Sequence, residues 1–111
     1  MTTLYIAGSI THGGTITDEA EIRANLQAFH DAQRRLEDAG YVVLNPARHG
    51  YDPEKTWADY MRLGLADVLT ADGLALLDGW GFSDGARLEV DVADALGVPA
   101  RSLRGWLGSA A

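Results

Sequence analysis

The chain has 111 residues, 47% hydrophobic and 23% charged, which suits a single soluble domain over residues 1–111 and leaves no room for a second core. It contains no cysteine, so thiol catalysis, disulfides and thiolate metal sites are excluded. With 9 Lys and Arg against 16 Asp and Glu the net charge is -7, a surface that repels nucleic-acid polymers and anionic lipid but still allows a small anion to bind N–H groups at a helix start.

The opening Met1-Thr2-Thr3 has no basic leader segment, and no apolar run approaches the roughly 20 residues of a bilayer span. The expectation is a cytoplasmic protein with no membrane partner. Leu4-Tyr5-Ile6-Ala7 reads as a buried strand entering a turn at Gly8-Ser9, with a loop through Thr11, Gly13, Gly14 and Thr15. Asp18 and Glu21 resemble a capping box, and Ile22, Leu26, Phe29 and Leu36 then recur on one face, predicting a helix over about residues 19 to 39 that ends at Gly40.

Tyr41-Val42-Val43-Leu44 predicts a second strand, stopped by Asn45-Pro46 and followed by a loop with Arg48, His49, Gly50 and Tyr51. Thr56 and Asp59 form another capping-box pattern, after which Trp57, Tyr60, Met61, Leu65, Val68 and Leu69 make one apolar face of a helix running to about Ala71. Leu74-Ala75-Leu76-Leu77 is a third buried strand, opening into the glycine-rich Asp78–Gly85 loop. A helix from Ala86 to Leu96 is apolar on two faces and ends at Gly97, and Val98-Pro99-Ala100 starts a last edge strand. The tail holding Trp106 and Leu107 carries no assignment.

Alternating strands and helices predict an α/β fold: a small doubly wound, Rossmann- or flavodoxin-like parallel sheet of four to five strands with helices on both faces. In such folds ligands bind beyond the carboxyl ends of the strands, so the loops after the first three strands should converge on one crevice.

Gly8 and Ser9 offer N–H groups and a hydroxyl to that crevice, or simply close a tight turn. Ser83, Gly85 and Glu89 stand at spacings of two and four at a helix start. Ser83 can cap the helix, Gly85 allows close approach, and the first turn favours an ionised Glu89 suited to act as a nucleophile or charge stabiliser. The plainer alternative is a solvated helix-start acid, against which Glu89 shares a face with the small residues Ala86 and Ala93. Trp80 could stack on a planar base or anchor the core. His12, His30 and His49 have no metal-ligand spacing, so neither metal nor cofactor is expected; His30 reads as solvated, whereas His12 and His49 fall in crevice loops.

Leu4-Tyr5-Ile6-Ala7-Gly8-Ser9-Ile10, with Ser83-x-Gly85-x-x-x-Glu89 and the following Val92–Pro99 stretch, resembles the nucleoside 2-deoxyribosyltransferase superfamily, in particular its 2′-deoxynucleoside 5′-monophosphate N-hydrolase branch. Asn45-Pro46-Ala47, Trp57-x-Asp59-Tyr60-Met61-Arg62 and Leu77-x-Gly79-Trp80 are similar to the DUF4406 subgroup. The resemblance implies cleavage or transfer at the N-glycosidic bond of a (deoxy)nucleoside or its 5′-monophosphate, by a homodimer that completes its sites across subunits. It implies Glu89 as nucleophile, Tyr5 as the residue orienting it, and Gly8, Ser9, Ile10, Ser83 and Gly85 as substrate-binding positions. An oxocarbenium-like centre at C1′ calls independently for an anionic carboxylate, and base release for a proton donor.

The sequence departs from the pattern at Gly64, where relatives often carry an aspartate; Asp67 one turn on, Asp59 and Asp78 are the acids that could reach the same space, each read first as a solvated surface side chain. The competing functional reading is a non-catalytic nucleotide-binding or sensing protein of the same fold. A receiver-like signalling domain would need clustered acids after the first strand and a lysine near the chain end, but the chain offers Gly8-Ser9 and no lysine beyond Lys55.

Overall fold

Residues 1–50 and 52–108 are described by the computed structural model; Tyr51, assigned by the sequence to the second loop, lies outside them. Strands β1 (Thr3–Ala7), β2 (Val42–Leu44), β3 (Gly73–Leu76) and β4 (Ala100–Ser102) form one sheet in the order β2-β1-β3-β4. All pairings are parallel, with Tyr5 opposite Leu44 on one side and Leu74 on the other. Helices α1 (Glu19–Asp38), α2 (Trp57–Thr70), α3 (Asp84–Ala95) and α4 (Leu103–Leu107) complete the fold, with 3-10 turns at Pro46–His49 and Trp80–Phe82. Among the described residues no helix is long and apolar enough to cross a membrane.

The strand order explains the two layers. From β1 the chain moves outward to β2 through α1, then reverses past β1 to β3 through α2 and on to β4 through α3. Right-handed crossovers taken in opposite directions put α1 on one face of the sheet and α2 and α3 on the other. On the first face Phe29, Ala32 and Leu36 of α1 bury against Leu4, Ile6, Val43, Ala75 and Leu77, flanked by Leu103 and Trp106 of α4. On the second, Val68 of α2 and Ala86 and Ala93 of α3 cover Tyr5, Ala7 and Leu74. Strand β1 feeds both layers, because successive side chains alternate faces. Burial of each large apolar side chain such as Leu4 or Ile6 stabilises the fold by about 1.5–3 kcal/mol.

Several local expectations shift. Thr56 and Asp59 form the reciprocal capping box, whereas Asp18 caps α1 through Ala20 N at 3.2 Å. The buried stripe of α2 is Met61, Gly64 and Val68, while Trp57 and Leu69 are exposed. Leu69 lies about 100° round the helix from Val68 and so turns off the sheet. The last strand begins at Ala100 rather than Val98, because Pro99 meets the sheet only through its carbonyl, which accepts from Leu74 N at 2.9 Å. The unassigned tail forms α4, where Trp106 Nε1 donates to Leu74 O at 2.7 Å.

Candidate functional site

The chain reverses direction between β1 and β3, the switch point at which doubly wound sheets open a crevice. There the loop after β1 meets the loop after β3: Leu77 N donates to Ala7 O at 2.9 Å, and the His12 ring lies 4.8 Å from that of Phe82. His12 holds a positive φ of 49°, beside Gly79 in the left-handed region.

Behind these loops lies the one buried carboxylate among the described residues. Glu89 is only 7% exposed and shares the buried face of α3 with Ala86 and Ala93. Its Oε2 accepts a 2.5 Å hydrogen bond from the Tyr5 hydroxyl, which reaches across from the centre of the sheet. Desolvation dominates its electrostatics and lifts its pKa from an ordinary 4.5 to about 7; the Tyr5 bond pulls the other way, and repulsion from Asp67 adds to the rise. This reverses the expectation that the helix start favours the ionised form, because Glu89 sits in the second turn of α3, beyond the reach of the dipole. Burial first and the neighbouring Glu89 charge second push the Tyr5 phenol well above its usual range, so it remains a donor throughout the working pH range.

Close approach makes the pair possible. Gly64 of α2 presents bare backbone to it: a Cβ there would fall inside van der Waals distance of Glu89 Oε2 and 2.9 Å from the Tyr5 oxygen. Gly85 plays a similar part at the start of α3, where a Cβ would lie 2.9 Å from Met61 Sδ. Gly64, at the position where relatives often carry an acid, thus provides the space into which Glu89 folds.

The remaining candidates have structural duties of their own, and Gly8 and Ile10 pack toward the α1 side of the sheet rather than the Tyr5 side. Gly8 packs beneath Phe29 and Leu77, with a Cβ 3.0 Å from Phe29 Cζ. Ser9 is buried, and its hydroxyl accepts from His12 N at 3.0 Å. The Ile10 carbonyl accepts from Asn25 Nδ2 at 2.8 Å. Ser83 caps α3 through Ala86 N at 3.1 Å. Trp80 is half-buried against the core under α3.

His49 and Asp67 form a second polar pair, with Nε2 and Oδ2 3.6 Å apart. His30, read as solvated, approaches Asn45 Nδ2 at 3.4 Å. The buried Asn45 also donates to Gln33 Oε1 at 3.0 Å and ties the end of β2 to α1. Among the described residues no three His, Asp or Glu side chains cluster closely enough to hold a metal ion. A groove between α1 and α4, lined by Arg35, Leu77, Asp78 and Arg104, contains neither Glu89 nor Tyr5, and nothing in it pairs a buried acid with a donor.

The sequence profile of the domain of unknown function DUF4406 matches residues 2–101, nearly the whole chain. The chain belongs to this family. No protein of curated function matches it. Among solved structures it is similar to the 2-deoxyribosyltransferase of the psychrotolerant bacterium Bacillus psychrosaccharolyticus, described as a biocatalyst for nucleoside synthesis. The likeness has a TM-score of 0.65 at 19% identity and covers 89% of this chain and 69% of that one. This DUF4406 member therefore shares the doubly wound fold of a 2-deoxyribosyltransferase.

Proposed function

We propose that the protein cleaves or transfers the glycosyl group at the N-glycosidic bond of a (deoxy)nucleoside or its 5′-monophosphate, with Glu89 as nucleophile. The observation that carries the reading is the buried Tyr5–Glu89 hydrogen bond behind the switch-point loops. A carboxylate kept from water and fixed by one short bond is poised to attack an electron-poor carbon, because it has little solvation to lose. Attack of Glu89 on C1′ forms a C1′–O bond as the C1′–N bond breaks, and the electron pair leaves with the base. Water or a second base then displaces the carboxylate, as in retaining glycoside hydrolysis. Similarity in fold to the deoxyribosyltransferase agrees with this chemistry.

Gly8, Ser9, Ile10, Ser83 and Gly85 are proposed to receive the sugar and its 5′ side, and Trp80 to border the base. The active unit is read as a cytoplasmic homodimer, to which the exposed Trp57 of α2, Leu88 of α3 and Leu96 just after α3 lend apolar surface.

The test is incubation with a panel of nucleosides and 5′-monophosphates, with and without free bases, scoring released base and exchanged nucleoside for wild type and Glu89→Gln. Turnover lost in the variant supports the reading. Saturable binding with no turnover in the wild type would instead make the protein a nucleotide sensor.

A further inference from the structure

A departing purine or pyrimidine must take up a proton as the C1′–N bond breaks, and neither residue of the buried pair is placed to supply it. Glu89 is needed ionised, and the Tyr5 proton is committed to Glu89. Position 64 offers no alternative, since the Glu89 carboxylate fills the space where a side chain would stand. The donor must come from elsewhere along the same wall.

One turn beyond Gly64 on α2 stands Asp67, which acts electrostatically on both Glu89 and Tyr5. Its carboxylate faces His49, on the 3-10 turn that follows β2, with Nε2 3.6 Å from Oδ2. Both side chains are about one-third exposed, 37% for His49 and 32% for Asp67, whereas the nucleophile is buried. That division suits a displacement at C1′: the base leaves on the side of the sugar opposite the attacking carboxylate, toward the more open part of the site. A carboxylate on one imidazole nitrogen fixes the tautomer and directs the other nitrogen outward, and such contacts commonly tighten only when substrate is bound.

We propose that His49, held by Asp67, is the general acid that protonates the departing base. The proton passes from His49 Nδ1 to a base nitrogen as Glu89 bonds to C1′. The neutral imidazole then takes a proton from the water that releases the sugar, which restores both groups. His49 is the catalytic residue of the pair and Asp67 the positioning one. The inference rests on the glycosyl-cleavage reading above.

The experiment compares guanosine and 2′-deoxyguanosine with their N7-methylated counterparts, each also as the 5′-monophosphate. N7-methylguanine leaves as a neutral base and needs no proton. His49→Gln and Asp67→Asn should slow release of guanine by about 10²-fold or more and release of N7-methylguanine by no more than a few-fold. Glu89→Gln should abolish both. Added imidazole should restore guanine release to His49→Ala and leave Asp67→Asn unchanged. Equal losses on the two leaving groups, or no loss on either, overturn the donor assignment while the nucleophile assignment stands. A wild type inactive on every compound removes the glycosyl-cleavage reading and this inference with it, and activity surviving in Glu89→Gln overturns the nucleophile alone.

Discussion

Gly64 of α2 and Glu89 of α3 meet so closely that the carboxylate occupies the volume a side chain at position 64 would take. Glycine inside a helix costs about 1 kcal/mol relative to alanine, and here its bare backbone leaves the room in which Glu89 meets its hydrogen-bond donor Tyr5.

Gly64→Ala is therefore expected to destabilise the protein in spite of its better helix propensity. Overpacking costs about 1–3 kcal/mol against a gain of about 1, and the displaced Glu89 should also lose activity. Gly64→Asp should be worse on both counts, because it adds a charge beside a buried carboxylate. Melting temperature and turnover of the two variants decide it: an active, more stable Gly64→Ala protein contradicts the packing account.

Glu89 makes stability depend on pH in a direction opposite to that of most carboxylates. Below pH 4.5 the group is protonated in both folded and unfolded chains. Between 4.5 and about 7 the unfolded chain releases a proton that the folded one keeps, so stability falls as pH rises, and above about 7 the penalty is complete. A shift of that size corresponds to about 3 kcal/mol as an upper figure. Denaturant melts at pH 4 and pH 8 should find Glu89→Gln stabilised only at the higher pH, with activity lost. Parallel curves for variant and wild type would mean that the carboxylate is better solvated than its position indicates.

On the proposed mechanism, in which Glu89 is the nucleophile, the same shift should also set the acid limb of the rate. A nucleophilic Glu89 would have to be ionised, so kcat/KM should fall below about pH 7. Tyr5→Phe removes the bond that lowers the Glu89 pKa and should move this limb to higher pH. It also leaves a buried acceptor unsatisfied, for a loss of about 1–3 kcal/mol at pH 8. An unmoved limb would disconnect Tyr5 from the titrating group.

Receipt of the 5′ side by Gly8, Ser9, Ser83 and Gly85, as proposed, predicts that a 5′-phosphate strengthens binding by about tenfold through backbone N–H groups of the Gly8-Ser9 turn and the start of α3. Calorimetric titration of a nucleoside and its monophosphate gives the comparison. Equal affinities would confine these loops to shaping the backbone.

Much of this arrangement was legible in the sequence. Short apolar runs opening into glycine-bearing loops located β1 and β3, the Thr56–Asp59 spacing located the start of α2, and Ala86 and Ala93 beside Glu89 signalled its buried face. What escaped depends on contacts between distant segments. A glycine in α2 reads as a weakness until the carboxylate 25 residues later is seen to fill it. The raised proton affinity of Glu89 comes from desolvation, which one-dimensional spacing does not encode. Helix α4 is five residues long with Gly105 inside it, too short for a periodic signal, and its own Trp106 anchors it to the sheet by donating to Leu74 O of β3 and lying 2.5 Å from where a Gly73 Cβ would stand.

The central place of β1 has a consequence for synthesis. The strand is made first, yet its partner β3 follows some 66 residues later, so at about 5–20 residues per second Leu4–Ala7 leave the ribosome several seconds before that edge can be covered. Until then the segment that carries Tyr5 is an open apolar template for other chains. Yield of correctly folded protein should accordingly be governed by the interval between these two strands more than by the stability of the finished sheet.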